Sequence, residues 1–244
     1  MDPNPEVAQS RVKELQMSFD IEIHGDLNDY LGIQIQQKLD GTITMTQPQL
    51  IDSILKDLGL LDKLGKPHPN TTTKDLPSMV TRKITADTNG QPFTFPWNYR
   101  SVIGKLNYLE KSSRPDISFV VHQLARYSTK TRQSHGQAIK HLGRYLLGTR
   151  HQGIILQPTK PLDLVTYVDA DFSGTWDPKY AKDDPDTARS RSGYIVFLAD
   201  SPLFWSSKLQ TIIALSTAES ELIALSEATR FIQSITYLID EIQD

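Results

Sequence analysis

Two pairs of acidic residues stand about fifty positions apart in this chain. Asp169 and Asp171 lie in Thr166-Tyr167-Val168-Asp169-Ala170-Asp171-Phe172-Ser173-Gly174, and Glu219 and Glu221 in Ser216-Thr217-Ala218-Glu219-Ser220-Glu221-Leu222. Carboxylates on a buried strand and on the first turn of a packed helix can hold divalent ions. Such ions clamp the attacking and leaving oxygens of a phosphate, which is metal-dependent phosphodiester chemistry. Leu164, Val165, Tyr167 and Val168 make the first segment apolar on both faces, which predicts a central strand. An ionised Asp169 at the end of such a strand needs compensation, and a cation would supply it. Asp171 can equally end the strand and cap the turn toward Gly174.

The glutamates are ranked by helical geometry. At about 100° per residue, a core stripe runs through Leu225, Ala228, Ile232, Ile235 and Ile239, and Glu221 projects within it, one turn before Leu225. An acid on a sheet-facing stripe is a functional candidate. Glu219 projects to one side, and with Ser216 or Thr217 as N-cap it has a structural use in the first turn. Glu221 is therefore the preferred ligand and Glu219 the alternative.

The elements that position these groups follow from periodicity. Residues 1–16 read as a frayed start and Phe19–Ile23 as a strand. Strands Tyr30–Ile35 and Thr42–Met45 are joined through Asp40-Gly41. A helix opens at Gln47-Pro48, with Leu50, Ile51, Ile54, Leu55 and Leu58 on one face, and stops at Gly59. Residues 62–96 hold five prolines and read as a linker or extended strap. Helices are predicted over Tyr99–Leu109, Ile117–Tyr127 and Ala138–Leu147. From Gly153 the pattern changes to short strands, at 153–156, 162–170, 192–198, 203–206 and 211–215, before a long helix from Thr217 to about Ile239. Strands followed by one helix predict an α+β fold, a mixed sheet with the helix packed on it.

Composition bounds the alternatives. The chain of 244 residues has no cysteine, which excludes disulfides and thiolate metal sites. It has no run of 18 apolar residues and no cationic leader, so the expectation is an intracellular protein without a membrane span. The net charge of -3 hides an asymmetry. Residues 97–151 carry ten Lys/Arg against Glu110 and Asp116, whereas residues 161–244 carry 14 Asp/Glu against six Lys/Arg. The first segment could grip a polyanion beside an acidic, metal-holding one, or the two could be solvated faces of unlike charge. His122, His135 and His141 lack metal-ligand spacing. Trp97, Tyr99, Tyr108 and Tyr127 interleave with basic residues and could stack on bases, although helix packing explains them as well.

The motifs together resemble the RNase H region of copia-type LTR retrotransposon polyproteins. The resemblance rests on 167–174, on Arg189-Ser190-Arg191-Ser192-Gly193-Tyr194, on Phe204-Trp205-Ser206-Ser207-Lys208-Leu209-Gln210 and on 214–221. Upstream, Tyr30-Leu31-Gly32-Ile33, 47–51, 99–109, Ser113-Arg114-Pro115-Asp116-Ile117 and 141–149 are similar to the reverse-transcriptase end and connection of the same family. The resemblance covers nearly the whole chain in order.

It implies a tail of the polymerase palm over 1–46 and a helical thumb/connection over 47–150, with the linker at 62–96. Over 151–244 it implies an incomplete RNase H-like domain. The family's RNase H cuts the RNA strand of RNA–DNA hybrids with Mg²⁺ (or Mn²⁺), and Asp169 and Glu221 match its strand and helix ligands. The basic helices, through Arg100, Lys105, Arg126, Lys140, Arg144 and Arg150, would grip the hybrid backbone without reading sequence. Two departures qualify this. The polymerase aspartates would lie upstream of this chain and the next nuclease carboxylate beyond residue 244, with Asp240 and Asp244 poorly placed to substitute. The resemblance therefore implies hybrid binding with an ancestral hydrolytic activity that is inactive alone, or an active ribonuclease H where a further chain or downstream sequence supplies the missing carboxylates. The remainder of the Pol polyprotein is an expected partner.

Overall fold

The computed structural model describes residues 5–21, 27–62, 64–68, 84–157 and 163–243. The N-terminal segment is helical, α1 (Pro5–Ser18), rather than frayed, and residues 19–21 after it are not a strand. The rest of that expected strand, 22–23, lies outside the described residues. The Tyr30–Ile35 strand is interrupted because Leu31 and Gly32 both take positive φ, at 53° and 77°. That two-residue turn makes a hairpin of β1 (Asp29–Tyr30) and β2 (Ile33–Gln37). The expected Asp40-Gly41 turn forms, with the Thr42 amide donating to Asp40 Oδ1 at 2.9 Å, and leads into β3 (Ile43–Thr46).

Helix α2 (Pro48–Asp57) turns Ile51, Ile54 and Leu55 inward, as its periodicity requires. Helices α3 (Tyr99–Ser112), α4 (Ser118–Ala125) and α5 (Gln133–Gly148) pack with it around Val102, Leu106, Val121, Leu124, Ile139, Leu142 and Leu146. Asn98 caps α3 by accepting from the Ser101 amide at 2.9 Å. The described end of the Pro-rich segment is not a solvated strap, because Ile84, Phe93 and Phe95 lie against this core. Arg114, 1 % exposed, ties the start of α4 to the end of α5. Its guanidinium donates to both oxygens of Asp116, at 2.9 and 2.7 Å, and to the carbonyl and hydroxyl oxygens of Thr149.

The strand at 153–156 forms as β4 (Ile154–Leu156), but it pairs with β3 and completes a first sheet in the order β1-β2-β3-β4. It does not belong to the C-terminal sheet. That second sheet holds β5 (Leu164–Asp171), β6 (Arg191–Leu198) and β7 (Ser201–Leu209) in sequential order, and all its described pairings are antiparallel. The expected mixed sheet is thus an antiparallel one among the described residues, within an α+β fold. The segment 211–215 is not a strand. Register ends at Arg191 opposite Leu209, and the chain then turns to deliver Ser216 to the start of α6 (Thr217–Gln243).

Candidate functional site

Strand β5 is not central. Among the described residues it pairs only with β6, and Val165 and Tyr167 are 43 % and 65 % exposed. Its continuous apolar run serves two different faces. Directly opposed residues of antiparallel strands point to the same side, so Ala170, Ser192 and Lys208 form one row and Asp169, Gly193 and Ser207 the next. The Ala170 side packs on α6. Gln210 Nε2 donates to Ser192 Oγ at 3.2 Å and to the Ser220 carbonyl at 2.8 Å, and Phe231 stacks on Phe204 with centroids 3.9 Å apart. Asp169 therefore projects from the side turned away from α6.

Helix α6 is also rotated from the expected stripe. Its buried line runs through Ser220, Ala224 and Ala228, each 0 % exposed, and on to Phe231, whereas Leu225 is 51 % exposed. Glu221 lies roughly 70° from the centre of that line and is exposed. The acid on the sheet-facing side is Glu227, whose carboxylate lies 3.6 Å from Lys208 Nζ. The small side chains at 220, 224 and 228 were the sequence signal for this stripe, because a helix packs closest along small residues. Glu219 serves the helix start. Its Oε2 accepts from the Leu215 amide at 2.7 Å, while Ser216 Oγ accepts from the Glu219 amide at 3.1 Å.

Asp169 and Glu221 thus do not share a face. Among the described residues no three His, Asp or Glu side chains gather as a metal site. Asp169 and Glu221, on different sides, do not together supply the oxygen donors that a divalent ion needs.

Asp169 instead lines a cavity of about 350 Å³ between the second sheet and the residues that open α4. Asp116 and Ser118 stand on the opposite wall, and Trp205 closes the side. The Trp205 indole N–H donates to the Glu110 carbonyl at 2.8 Å, and the Arg191 guanidinium lies 5.1 Å above the Phe119 ring, so both walls are tied together. Asp116 sits in the motif 113–117, yet sequence alone carried no signal that it would face Asp169.

The six basic residues expected to grip nucleic acid divide. Three are engaged internally. Lys105 Nζ binds Asp57 at 2.7 Å, Arg126 binds Asp184 at 2.6 Å with both side chains nearly buried, and Arg150 binds Asp52. Arg100 is exposed and its Nε donates to the Ser128 carbonyl at 3.1 Å. Lys140 and Arg144 stand one turn apart on the outer side of α5 with no acidic partner among the described residues, Lys140 lying 5.2 Å above the Phe95 ring. Between them, burial and then the Arg144 charge hold the His141 imidazole below its ordinary pKa. Of these three ion pairs Arg126–Asp184 is the buried one, and Arg100, Lys140 and Arg144 have no acidic partner among the described residues.

No family model matches the chain, and no solved structure matches it. It is 31 % identical over 239 residues to the retrovirus-related Pol polyprotein from transposon RE1 of Arabidopsis thaliana, covering 98 % of this chain and 15 % of that protein. The corresponding RE2 polyprotein is 31 % identical over 93 % of this chain and 14 % of its own length. A secreted RxLR effector protein 161 of Plasmopara viticola is 36 % identical over 54 % of this chain and 87 % of that protein. The chain thus spans about one seventh of the Pol polyproteins it matches. With helices, motifs and both sheets falling within a single collinear match, the chain belongs to the retrovirus-related Pol polyproteins of copia-type transposons.

Proposed function

We propose that this segment of a copia-type Pol polyprotein binds the backbone of an RNA–DNA hybrid on the outer side of α5 and does not by itself cut the RNA strand. The observation that carries the reading is the pair of exposed Arg144 and half-buried Lys140, both without acidic partners among the described residues. Free cations one turn apart on a helix can each neutralise a phosphate and release a counterion. Arg100 on α3 adds a third cation, an exposed guanidinium. Nothing in this arrangement reads base edges, so the binding is expected to be indifferent to sequence. The rest of a Pol polyprotein is the natural protein partner of such a segment. Metal-dependent hydrolysis of the RNA strand would need carboxylates beyond the pair Asp169 and Glu221.

Fluorescence anisotropy of a labelled RNA–DNA hybrid across a salt series tests this. Wild-type affinity should fall as salt rises, and Lys140→Glu with Arg144→Glu should lower the slope of log K against log salt by about 2. Gel analysis of the labelled RNA with Mg²⁺, and with EDTA, should show the strand intact in both. Binding unaffected by the double substitution, or independent of salt, would remove the reading.

A further inference from the structure

The Asp169 cavity continues into a second one of about 310 Å³ along the edge of β7, and the two share Ser118, Trp205, Ser206 and Ser207. Each lies within the roughly 300–1,000 Å³ range of small-molecule sites. Ser118 is 5 % exposed, and its hydroxyl, at the junction, has no hydrogen-bond partner. Buried polar groups are almost always satisfied, so an orphaned hydroxyl on a cavity wall points to something that enters the cavity.

The two ends differ in charge. Asp169, whose carboxylate has no partner among the described residues, and Asp116 line the first cavity. Asp116 is already engaged by Arg114 and by the Tyr145 hydroxyl at 2.7 Å, leaving Asp169 as the open acceptor. Lys111 and Lys208 line the second. Lys111 is exposed and has no acidic partner among the described residues, whereas Lys208 is ion-paired with Glu227 at 3.6 Å. Glu110 lines this end too, but its buried carboxylate is held by His122 Nε2 at 3.2 Å. Trp205 presents an aromatic wall between the ends.

We infer that the double cavity binds a nucleotide unit whose base carries an exocyclic amine. The phosphate lies toward Lys111, the base against Trp205, and the amine donates to Asp169. The Ser118 hydroxyl completes its bonding on the base or sugar. An ionised carboxylate only accepts, so adenine, guanine and cytosine suit it, whereas uracil and thymine offer a carbonyl at the matching position. The unit could be a free nucleotide or the unpaired end of a strand. This goes beyond the hybrid-binding reading, since α5 would hold a backbone and the cleft a base.

The test follows the Trp205 indole N–H resonance in the full chain, assigned by its loss in Trp205→Phe. The probes are GMP, AMP, CMP, UMP and inorganic phosphate. Saturable shifts with the first three, and on the order of tenfold weaker binding of UMP, are expected. Asp169→Asn, an exposed and unpaired position, should weaken GMP about tenfold while leaving the salt-dependent hybrid affinity unchanged. Lys111→Glu should weaken all the nucleotides. A hybrid with one unpaired 3′ guanine, compared with a blunt one, separates the two sources, and a shift with either GMP or the overhang supports the site. The inference is overturned if neither a nucleotide nor the unpaired overhang moves the resonance, if UMP or phosphate alone acts as well as GMP, or if Asp169→Asn is without effect. Loss of hybrid binding in the α5 variants with nucleotide binding intact would leave this site standing apart from the proposed function.

Discussion

At the residue scale, half of the six cations that make the helical part look like a nucleic-acid binder are paired with the protein's own acids, and one of those pairs is buried. Arg126 and Asp184 are 12 % and 10 % exposed, and the Tyr127 hydroxyl lies 2.9 Å from both Asp184 Oδ2 and the Ile84 carbonyl. Truncating one partner of a buried pair leaves the other uncompensated, so Arg126→Ala should cost about 3 kcal/mol, read as a lowered urea midpoint. His135 lies against the Tyr127 ring, centroids 4.4 Å apart. Its Nδ1 accepts from the Arg132 amide at 3.0 Å, and Nε2 donates to the Thr85 carbonyl at 2.8 Å. Both bonds suit the neutral ring, and burial holds its pKa below the ordinary 6.5. Between the depressed folded value and the unfolded one, the unfolded chain binds more protons. This contribution is therefore complete above pH 6.5 and is lost as pH falls below it. Urea midpoints at pH 7.5 and pH 5 should differ less in His135→Gln than in wild type, and an equal difference would contradict this account.

At the scale of elements, pairing partners decided what local pattern could not. Gly153 precedes β4, and a Cβ there would strike the Met45 carbonyl oxygen, a backbone atom that cannot move aside cheaply. Gly153→Ala should loosen β4 from β3 at a cost of about 1–3 kcal/mol. Hydrogen exchange should show faster amides at the β3–β4 pairing and unchanged protection in β5, β6 and β7. Helix α6 carries the complementary lesson. Its apolar residues surround much of the helix, with Leu222, Leu225, Tyr237 and Leu238 all exposed, so hydrophobicity alone could not choose the packed side. Close contact of Ala224 and Ala228 with the sheet chose it, and Glu221 moved from the stripe to its flank.

Across the whole molecule, the basic helices and the acidic second sheet meet each other. The Arg126–Asp184 pair, the Trp205–Glu110 bond and the Arg191–Phe119 contact bridge the two parts. They should unfold together, with far-ultraviolet circular dichroism and tryptophan fluorescence tracing one urea transition, because Trp97 reports on the helices and Trp205 on the sheet. Combining Arg126→Ala with Phe119→Ala, which keeps Trp205 as the sheet's reporter, should separate the two traces. Among the described residues no helix is long and apolar enough to cross a membrane.

Sequence by itself determined the α+β class, the helices at 48–57 and 99–148 and the Asp40-Gly41 turn. It also determined membership in the Pol family, carried by short motifs in fixed order. These are local or collinear properties, written in periodicity, caps and residue strings. Tertiary structure alone decided that β4 joins the first sheet, that Asp169 faces Asp116 rather than α6, and that Arg126 and Arg150 are internal ion-pair partners. Each of those outcomes depends on which of two surfaces meets a distant segment. A strand's alternation and a helix's stripe define surfaces, but only packing against a particular neighbour selects the one that is buried.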